Sequence, residues 1–357
     1  MKLLEETLAR ITPLNEEIME KVQQRLDSLT KPPGSLGRLE EIVKLYAGIV
    51  GTDHPEIPRK CMIVTSADHG VAKLGVSAYP IETTIQMTRN YLVAKGAVAN
   101  ALSNHCGADL VVVDMGVAGD LSDVAGLIHR KIAYGTHNFT EGPAMTRGQA
   151  IRALEIGIEI VQEQVAKGYR CFTLGEMGIG NTTSSAAILA AFTGMSAEEV
   201  TGRGTGISDS RLVVKIEAVR RALEINKPDP ADSIDVLSKV GGFELGGLAG
   251  VMLGAAANRC LVVIDGFNAG AAALIANTLH PLSKRYMLGS HLSSEQAHRK
   301  MCKVLGIEPY VDMGLRLGEA TGASLVVNFL DASIKILNEM ATFDDAGVST
   351  AKKDGCR

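Results

Sequence analysis

A carboxylate stands immediately before a run of small residues in LGEMGIGNTTSSAA, residues 174–187. Glu176 ends an apolar stretch, and it is followed by glycines, which have no side chain. One interpretation is an ordinary strand-to-helix turn, in which glycines supply unusual backbone angles and Asn181 caps the next helix. The other interpretation is a backbone loop that binds a phosphate or a nucleotide, with a catalytic carboxylate beside it. The stretch alone leaves both interpretations open.

A second glycine-rich stretch, GRGTGISDSRLVVK (202–215), is the sharpest candidate for binding an anion. Its three alternate glycines free the backbone to turn N–H groups inward. Ser208 or Asp209 then caps a helix whose N-terminal dipole favours a phosphate. Lys215 lies about 9 Å along that helix, and a long side chain leans back toward the helix N-terminus. An ordinary loop followed by a solvated lysine is the alternative.

The glycine spacing of this stretch argues against two large classes of nucleotide-binding protein. The dinucleotide fingerprint is GxGxxG after a strand, whereas these glycines follow GxGxG after a predicted helix. The GK[ST] motif of a P-loop is also missing from the stretch. Hydride transfer and ATP hydrolysis are therefore disfavoured.

Two further segments carry side chains that are capable of chemistry. DMGLRLGEATGA (312–323) isolates Glu319 among glycines and apolar residues, and burial raises the pKa of a carboxyl group toward the range of a general base. A helix-capping or solvent-exposed glutamate is the alternative. TSADHGV (65–71) places Asp68 and His69 at a strand end. The eight histidines do not cluster, so a metal site is disfavoured and hydrogen bonding in a sugar or base pocket is expected.

Short apolar runs alternate with helical stretches from residue 60 onward. Each run ends in a polar or glycine cluster, and the runs are CMIVTSAD (61–68), ADLVVVDMG (108–116), YRCFTLGEMG (169–178) and CLVVIDGF (260–267). This alternation predicts an α/β fold with a parallel, Rossmann-like sheet covered by helices on both faces. The strand ends, where such sheets bind ligands, carry four acidic residues: Asp68, Asp114, Glu176 and Asp265.

Both ends of the chain have the pattern of amphipathic helices. Two such runs in the first 50 residues are separated by KPPGSLG, and a final helix is expected at about 324–340. We therefore predict a small helical domain built from residues 1–58 and 320–357. The α/β catalytic domain is expected to cover residues 59–319.

Composition narrows the class of protein. With 357 residues, of which 46% are hydrophobic, the chain can bury a large core. The net charge of −4 without a basic stripe argues against nucleic acid as a partner. Neither a membrane span nor a signal peptide is expected, and six scattered cysteines without a CxxC pair are typical of a cytoplasmic protein. The polar tail AKKDGCR (351–357) is expected to be disordered.

Several segments together resemble one family, the nicotinate-nucleotide:dimethylbenzimidazole phosphoribosyltransferases of cobamide lower-ligand assembly. The similar segments run in order between residues 29 and 348, which is far more specific than any single glycine loop. They are LTKPPGSLGRLE, ADHGVAKLGVSAYP, NFTEGPAMTR, GEMGIGNTT, GRGTGISD, KVGGFELGGLAG, DGFNAGAAAL, DMGLRLGEATGA and LNEMATFDDAGV. The resemblance implies the architecture predicted above. It also implies a dimer, formed by two identical chains or with a paralogous chain.

The resemblance implies transfer of 5-phosphoribose from nicotinate mononucleotide to a nitrogen of 5,6-dimethylbenzimidazole. The implied products are nicotinate and α-ribazole 5′-phosphate, with inversion at the anomeric carbon. Nicotinate leaves as a neutral ring nitrogen, so we expect neither a metal nor a cofactor. The protein then has to hold the phosphate, orient the sugar and remove a proton from the incoming base.

The resemblance assigns these tasks to particular residues. Glu319 is implied as the general base, and Glu176 as a second catalytic carboxylate in the nucleotide pocket. The residues implied to bind the nucleotide and its phosphate are Gly178, Gly180, Asn181, Gly202, Arg203, Gly204, Thr205, Gly206, Lys215 and Asp265. The residues expected to line the acceptor site are Tyr79, Gln86, Met87 and Leu317.

The segment over residues 73–87 departs from the family pattern at Lys73, Leu74 and Ile81. Some members of the family use other lower bases, including adenine and phenolic compounds. We therefore hypothesise that this segment forms one wall of the acceptor site. It would then set whether dimethylbenzimidazole, a related aromatic ring or a phenol is accepted.

Two other functions are weighed against this one. A non-catalytic paralogue could serve as the partner subunit of a heterodimer, but the retention of Glu319, Glu176, the 202–206 stretch and Lys215 argues against it. A nucleotide-dependent oxidoreductase is disfavoured by the glycine spacing.

Overall fold

Six parallel strands form the central sheet of the chain. The computed structural model describes residues 1–350, and each pairing in the sheet is parallel. The strands are β1 (Arg59–Ala67), β2 (Ala108–Gly116), β3 (Ile128–His129), β4 (Tyr169–Met177), β5 (Leu261–Ile264) and β6 (Met287–Gly289). Four of them confirm the apolar runs in the sequence. β3 and β6 escape prediction because two or three residues carry no periodic signal.

The strands lie in the order β3-β2-β1-β4-β5-β6, so the direction in which strands are added reverses between β1 and β4. Ligands of open α/β sheets bind outside the carboxyl ends of the strands at such a reversal. Thr65 of β1 pairs with Glu176 of β4 close to those ends. The topology therefore places Glu176 beside the expected crevice.

Helices precede, connect and follow the strands. Those within residues 1–350 are α1 (Lys2–Ala9), α2 (Glu16–Ser28), α3 (Arg38–Val50), α4 (Thr83–Leu92), α5 (Val98–Cys106), α6 (Arg147–Ala166), α7 (Asn181–Thr193), α8 (Ala197–Val200), α9 (Asp209–Asn226), α10 (Ser233–Val240), α11 (Phe243–Ala257), α12 (Phe267–Leu279), α13 (His298–Leu305), α14 (Thr321–Glu339) and α15 (Phe343–Ala346). Short 3₁₀ turns cover Gly70–Leu74 and Pro281–Tyr286. Within the described chain, no helix has both the length and the apolar character needed to cross a bilayer.

The two faces of the sheet are covered by different segments. Successive side chains of a strand point to opposite faces. The hydroxyl of Thr65 donates to the carbonyl of Glu244 in α11 at 3.1 Å. Its neighbour Val64 shares the other face with Gly175, over which the backbone of Ala320 passes. The predicted α/β fold with a doubly covered parallel sheet is thereby confirmed.

The chain divides into two compact units. The larger unit contains residues 1–12 and 59–326, and therefore the whole sheet. It also contains α1, which the sequence analysis grouped with the helical ends. The amino group of Met1 lies 2.6 Å from the Glu155 carboxylate of α6, and Leu4 is buried.

The smaller unit contains residues 13–58 and the described chain from 327 to 350. A buried ion pair joins Lys31 and Glu40 at 2.8 Å, and Arg25 Nε donates to the Leu337 carbonyl at 2.8 Å. Segments from both ends of the chain thus contribute to this unit. The predicted division into a helical domain of residues 1–58 and 320–357 and an α/β domain of residues 59–319 stays a prediction, and the tail at 351–357 lies outside the described residues.

Candidate active site

A cavity of about 320 Å³ opens at the carboxyl ends of β4 and β5. The predicted site residues on its wall are Tyr79, Met87, Glu176, Gly178, Asn181, Gly204, Thr205, Leu317 and Glu319. The wall residues that the sequence analysis did not single out are Thr83, Met177, Ile179, Thr182, Gly266, Phe267, Asn268, Ser293, Glu295, Arg316 and Gly318. Residues from both predicted substrate sites therefore face one space.

Two asparagines hold the side chain of Glu176. Asn268 donates through Nδ2 to Oε1 at 3.0 Å, and Asn181 donates through Nδ2 to Oε2. The hydroxyl of Ser185 donates to Oδ1 of Asn268 at 2.8 Å and so fixes that amide in turn. A buried network in which the members support each other gives the carboxyl group one orientation.

The role of Asn181 differs from the helix cap that the sequence suggested. Helix α7 begins at Asn181, and its cap position is Gly180, which makes no side-chain cap bond and has a φ of +97°. The Asn181 amide reaches Glu176 instead. The glycines thus form the turn, and the Asn181 side chain hydrogen-bonds to Glu176 instead of capping the helix.

Burial raises the pKa of Glu176 to about 8. The hydrogen bond from Asn268 acts in the opposite direction, whereas the negative charges of Glu244 and Asp265 raise the pKa further. At neutral pH the folded chain therefore keeps this carboxyl group protonated. A protonated carboxyl can donate a hydrogen bond as well as accept one.

Glu319 lies in the loop before α14, where the backbone is strained. Its φ is +58°, as is that of Ala320, and non-glycine residues rarely adopt this region. Such conformations cost about 1–3 kcal/mol each and cluster at functional sites. The Glu319 side chain is buried, and its Oε2 has no hydrogen-bond partner among residues 1–350. Burial also raises the pKa of Glu319, against the effect of the Tyr91 hydroxyl and the Ala99 N–H.

Two glycines bring the Glu319 loop onto the end of β4. A Cβ on Gly175 would lie 2.8 Å from the backbone nitrogen of Ala320 and 2.9 Å from the carbonyl carbon of Glu319. A Cβ on Gly318 would overlap Oε1 of Glu176. The two carboxyl groups share one cavity because both positions lack a side chain.

The glycine-rich turn forms another part of the wall. Gly204 and Gly206 have φ values of +51° and +92°, which favour glycine. Lys215 reaches back along α9, and its Nζ donates to Thr182 Oγ1 at 2.8 Å. A Cβ on Gly204 would lie 2.9 Å from that Nζ. Burial lowers the pKa of Lys215 to about 8, while the charge of Glu295 acts against this shift.

Several predicted residues do not line the cavity, namely Gln86, Gly180, Gly202, Arg203, Gly206, Lys215 and Asp265. Gly202 and Gly206 pack directly behind two wall residues, Glu295 and Arg316. Arg203 turns away from the cavity, because it donates to the Ile207 carbonyl at 2.9 Å and pairs with Asp209.

Only part of the predicted acceptor wall faces the cavity. Thr83 and Met87 line it from α4, whereas Gln86 is exposed. Residues four apart share a helix face and adjacent residues do not, so Gln86 and Met87 cannot both point inward. Tyr79 and Leu317 line the mouth, with 57% and 43% of their surface exposed.

Asp265 supports the start of α14 instead of facing the cavity. Its Oδ1 accepts from the N–H groups of Gly322 and Ala323 at 2.8 and 3.1 Å. Burial raises the pKa of Asp265 to about 7, and these N–H groups oppose the shift. Asp265 is therefore placed to hold the loop that carries Glu319.

Asp68 and His69 do not line the cavity either, contrary to the expected sugar or base pocket. His69 Nε2 lies 2.6 Å from Glu244 Oε1, and both side chains are buried. Asp68 accepts from the Ala118 N–H at 2.7 Å. Across residues 1–350, no group of three or more histidine, cysteine or acidic residues is arranged to hold a metal ion.

Some of the missed wall residues had a signal in the sequence. Thr83 lies one helical turn before Met87, and helical spacing would have found it. Asn268 and Arg316 fall inside segments that carry the family resemblance. Ser293 and Glu295 lie outside those segments in an irregular stretch, and the tertiary fold alone brings them to the cavity.

These features define an α/β protein with a ligand-sized cavity at the carboxyl edge of its sheet, lined by buried carboxyl groups. A family model described as Phosphoribosyltransferase matches residues 11–348. A curated relative from Desulforamulus reducens, named nicotinate-nucleotide–dimethylbenzimidazole phosphoribosyltransferase, is 52% identical over 98% of this chain and 99% of its own length. A relative of the same name from Geobacter metallireducens is 51% identical over 99% of both chains.

The solved structures agree with the sequence relatives. The crystal structure of the enzyme of that name from Thermus thermophilus is 41% identical and superimposes with a TM-score of 0.89. The match covers 95% of this chain and 100% of the other. The chain belongs to the nicotinate-nucleotide:dimethylbenzimidazole phosphoribosyltransferase family, and the resemblance found in the sequence is confirmed.

The raised pKa of Glu176 predicts how stability depends on pH. The unfolded carboxyl group loses its proton near 4.5 and the folded one near 8, so the folded chain binds more protons between these values. The free energy of unfolding should therefore fall as the pH rises through this window. The Glu176→Gln variant carries no titrating group there and should lose less stability from about pH 5 to about pH 8.

Urea unfolding of both proteins at the two pH values measures this difference. Asp265 also titrates in this window, so the comparison isolates the part of the stability loss that depends on Glu176, including its electrostatic coupling to Asp265. Equal losses of stability in the two proteins would show that Glu176 is ionised in the folded chain at neutral pH.

Proposed function

We propose that the chain transfers 5-phosphoribose from nicotinate mononucleotide to an aromatic lower-ligand base, releasing nicotinate and the α-riboside 5′-phosphate. The observation that carries the proposal is that Glu319 and Glu176, whose pKa values are both raised by burial, line one cavity. A carboxyl group with a raised pKa on a cavity wall is suited to accept a proton from a substrate. The names of the relatives supply both substrates.

In this proposal the nucleotide phosphate binds at the glycine turn. Gly204 and Thr205 lie on the cavity wall, and Lys215 supplies a buried cation next to Gly204. A phosphate would offset the burial of that ammonium group and raise its pKa from about 8. Binding energy at the phosphate is remote from the reacting carbon and serves to position the sugar.

The acceptor ring is proposed to lie among Tyr79, Met87 and Leu317, with its proton-bearing nitrogen toward Glu319. Removal of that proton leaves a ring nitrogen free to attack the anomeric carbon as nicotinate departs. The raised pKa of Glu319 suits it to this task, because a general base works best when its pKa approaches the operating pH. Protonated Glu176 is placed to donate a hydrogen bond that orients the nucleotide.

The remaining features of the proposal concern the chain as a whole. We expect two chains to associate, as the family resemblance implies, in the cytoplasm and without nucleic acid or membrane. A role as a non-catalytic partner subunit is disfavoured, since the chain retains Glu319 and Glu176 on one cavity and Lys215 next to Gly204. Light scattering on the purified chain measures its oligomeric state.

Incubation with nicotinate mononucleotide and dimethylbenzimidazole, without added metal, should release nicotinate. The Glu319→Gln variant should bind the nucleotide but turn over ~10²–10⁴-fold more slowly, because loss of a general base removes that factor. Chromatography of nicotinate measures turnover, and calorimetry measures nucleotide affinity. No nicotinate from the unaltered chain would refute the proposed function. Unreduced turnover in the variant would remove Glu319 from the role of base.

Met87→Ala should change which acceptors are preferred, and Gln86→Ala is its matched control on the same helix. Met87 lines the cavity, whereas Gln86 is exposed. A methylene-sized change in an apolar pocket shifts discrimination by ~1–3 kcal/mol, so product ratios should move by about tenfold in Met87→Ala alone. Competition between dimethylbenzimidazole and a purine or a phenol measures these ratios. Equal ratios in both variants would place the acceptor wall elsewhere.

A further inference from the structure

Thr205 lines the cavity and also contacts a second segment of the chain. Its backbone belongs to the glycine turn, between Gly204 and Gly206, and it lines the cavity. Its side chain points to a different segment, where Oγ1 accepts from the Ala78 N–H at 2.9 Å and lies 3.2 Å from Ser77 Oγ. The side chain therefore ties the proposed phosphate turn to the chain just before Tyr79.

A second tie runs in parallel with the first. Arg211 Nη1, from the first turn of α9, donates to the Ser77 carbonyl at 2.8 Å. The same helix carries Lys215, the proposed phosphate cation. Ser77 in turn restrains Tyr79, because its Oγ accepts from the Tyr79 N–H at 3.2 Å. Both hydrogen-bonded connections run from the proposed nucleotide site to the proposed acceptor site.

The segment that receives these ties has little regular structure of its own. Residues 75–82 lie between the 3₁₀ turn Gly70–Leu74 and α4 and belong to no helix or strand. The Tyr79 ring is more than half exposed, so packing restrains it weakly. Side-chain hydrogen bonds from the 205–211 stretch are consequently a large part of what places Tyr79 at the cavity mouth.

We propose that Thr205 is a positioning residue that couples the two substrate sites, so that an occupied phosphate turn strengthens binding of the aromatic acceptor. A phosphate held by the turn fixes the Thr205 backbone. Oγ1 then holds Ala78, and with it the ring of Tyr79, in the position that receives the acceptor. Coupling between two sites is reciprocal, so the acceptor tightens the nucleotide by the same factor. This inference rests on the proposed function.

Two substitutions separate the side chain of Thr205 from its backbone. Thr205→Val keeps the shape and the backbone N–H but removes the hydroxyl that meets Ala78 and Ser77. Thr205→Ser keeps the hydroxyl and serves as the matched control. Ribose 5-phosphate replaces the nucleotide as the probe, because it brings the sugar and the phosphate but has no nicotinate to lose. Calorimetry then gives the affinity for dimethylbenzimidazole with and without this probe.

The unaltered chain should bind dimethylbenzimidazole ~3- to 10-fold more tightly when ribose 5-phosphate is saturating, the range expected of one or two hydrogen bonds. Thr205→Ser should retain this factor, and in Thr205→Val it should fall to about one. A general structural defect would weaken both measurements and leave their ratio unchanged.

The proposal is overturned if Thr205→Val keeps the factor of the unaltered chain, or if that chain shows no factor at all. Nicotinate release by the same preparation distinguishes the two levels of failure. Nicotinate release without coupling between the two sites rejects the proposed role of Thr205 and is consistent with the proposed function. Absence of both release and coupling rejects the two together.

Discussion

The contact on which the site depends is the passage of the Glu319 loop over the end of β4. Gly175 and Gly318 remove the side chains that would keep these backbones apart, and the loop settles with two consecutive left-handed residues. Asp265 secures the far end of the loop by accepting from the first N–H groups of α14. Strain of a few kcal/mol is thereby held in place by packing and a helix terminus, and it directs one carboxylate into the cavity.

Burial shifts the pKa values of the ionisable groups in and next to the cavity. The pKa of Glu176 is raised to about 8 and that of Lys215 is lowered to about 8, because both lie away from water. Both groups have uncharged hydrogen-bond partners, amides for Glu176 and a threonine hydroxyl for Lys215. With these pKa values the lysine is a cation at neutral pH and Glu176 is a neutral acid, so the lysine gains more from an anionic substrate. This difference is the reason for proposing the phosphate beside Lys215 and the sugar beside Glu176.

Sequence patterns predicted the parts of the structure that local rules govern. Long apolar strands, the glycine turn and the isolated Glu319 all follow from periodicity and residue type, and the family resemblance sharpened them. The departures from the expected cavity wall have physical causes. Gln86 lies on a different helix face from Met87, and Oδ1 of Asp265 accepts from the first turn of α14. The Asn181 side chain donates a hydrogen bond to Glu176 instead of capping its own helix. Glu295 reaches the cavity through tertiary packing, which no local pattern encodes.

Gly175→Ala tests most directly whether this backbone contact creates the site. The added Cβ would meet the backbone of Glu319 and Ala320, which cannot move aside as a flexible side chain can. A displacement of about 1 Å can cost ~10²-fold in rate. The account predicts that nicotinate release at saturating substrates falls at least ~10-fold, while circular dichroism shows a folded chain that unfolds cooperatively. An unchanged rate of nicotinate release would contradict it.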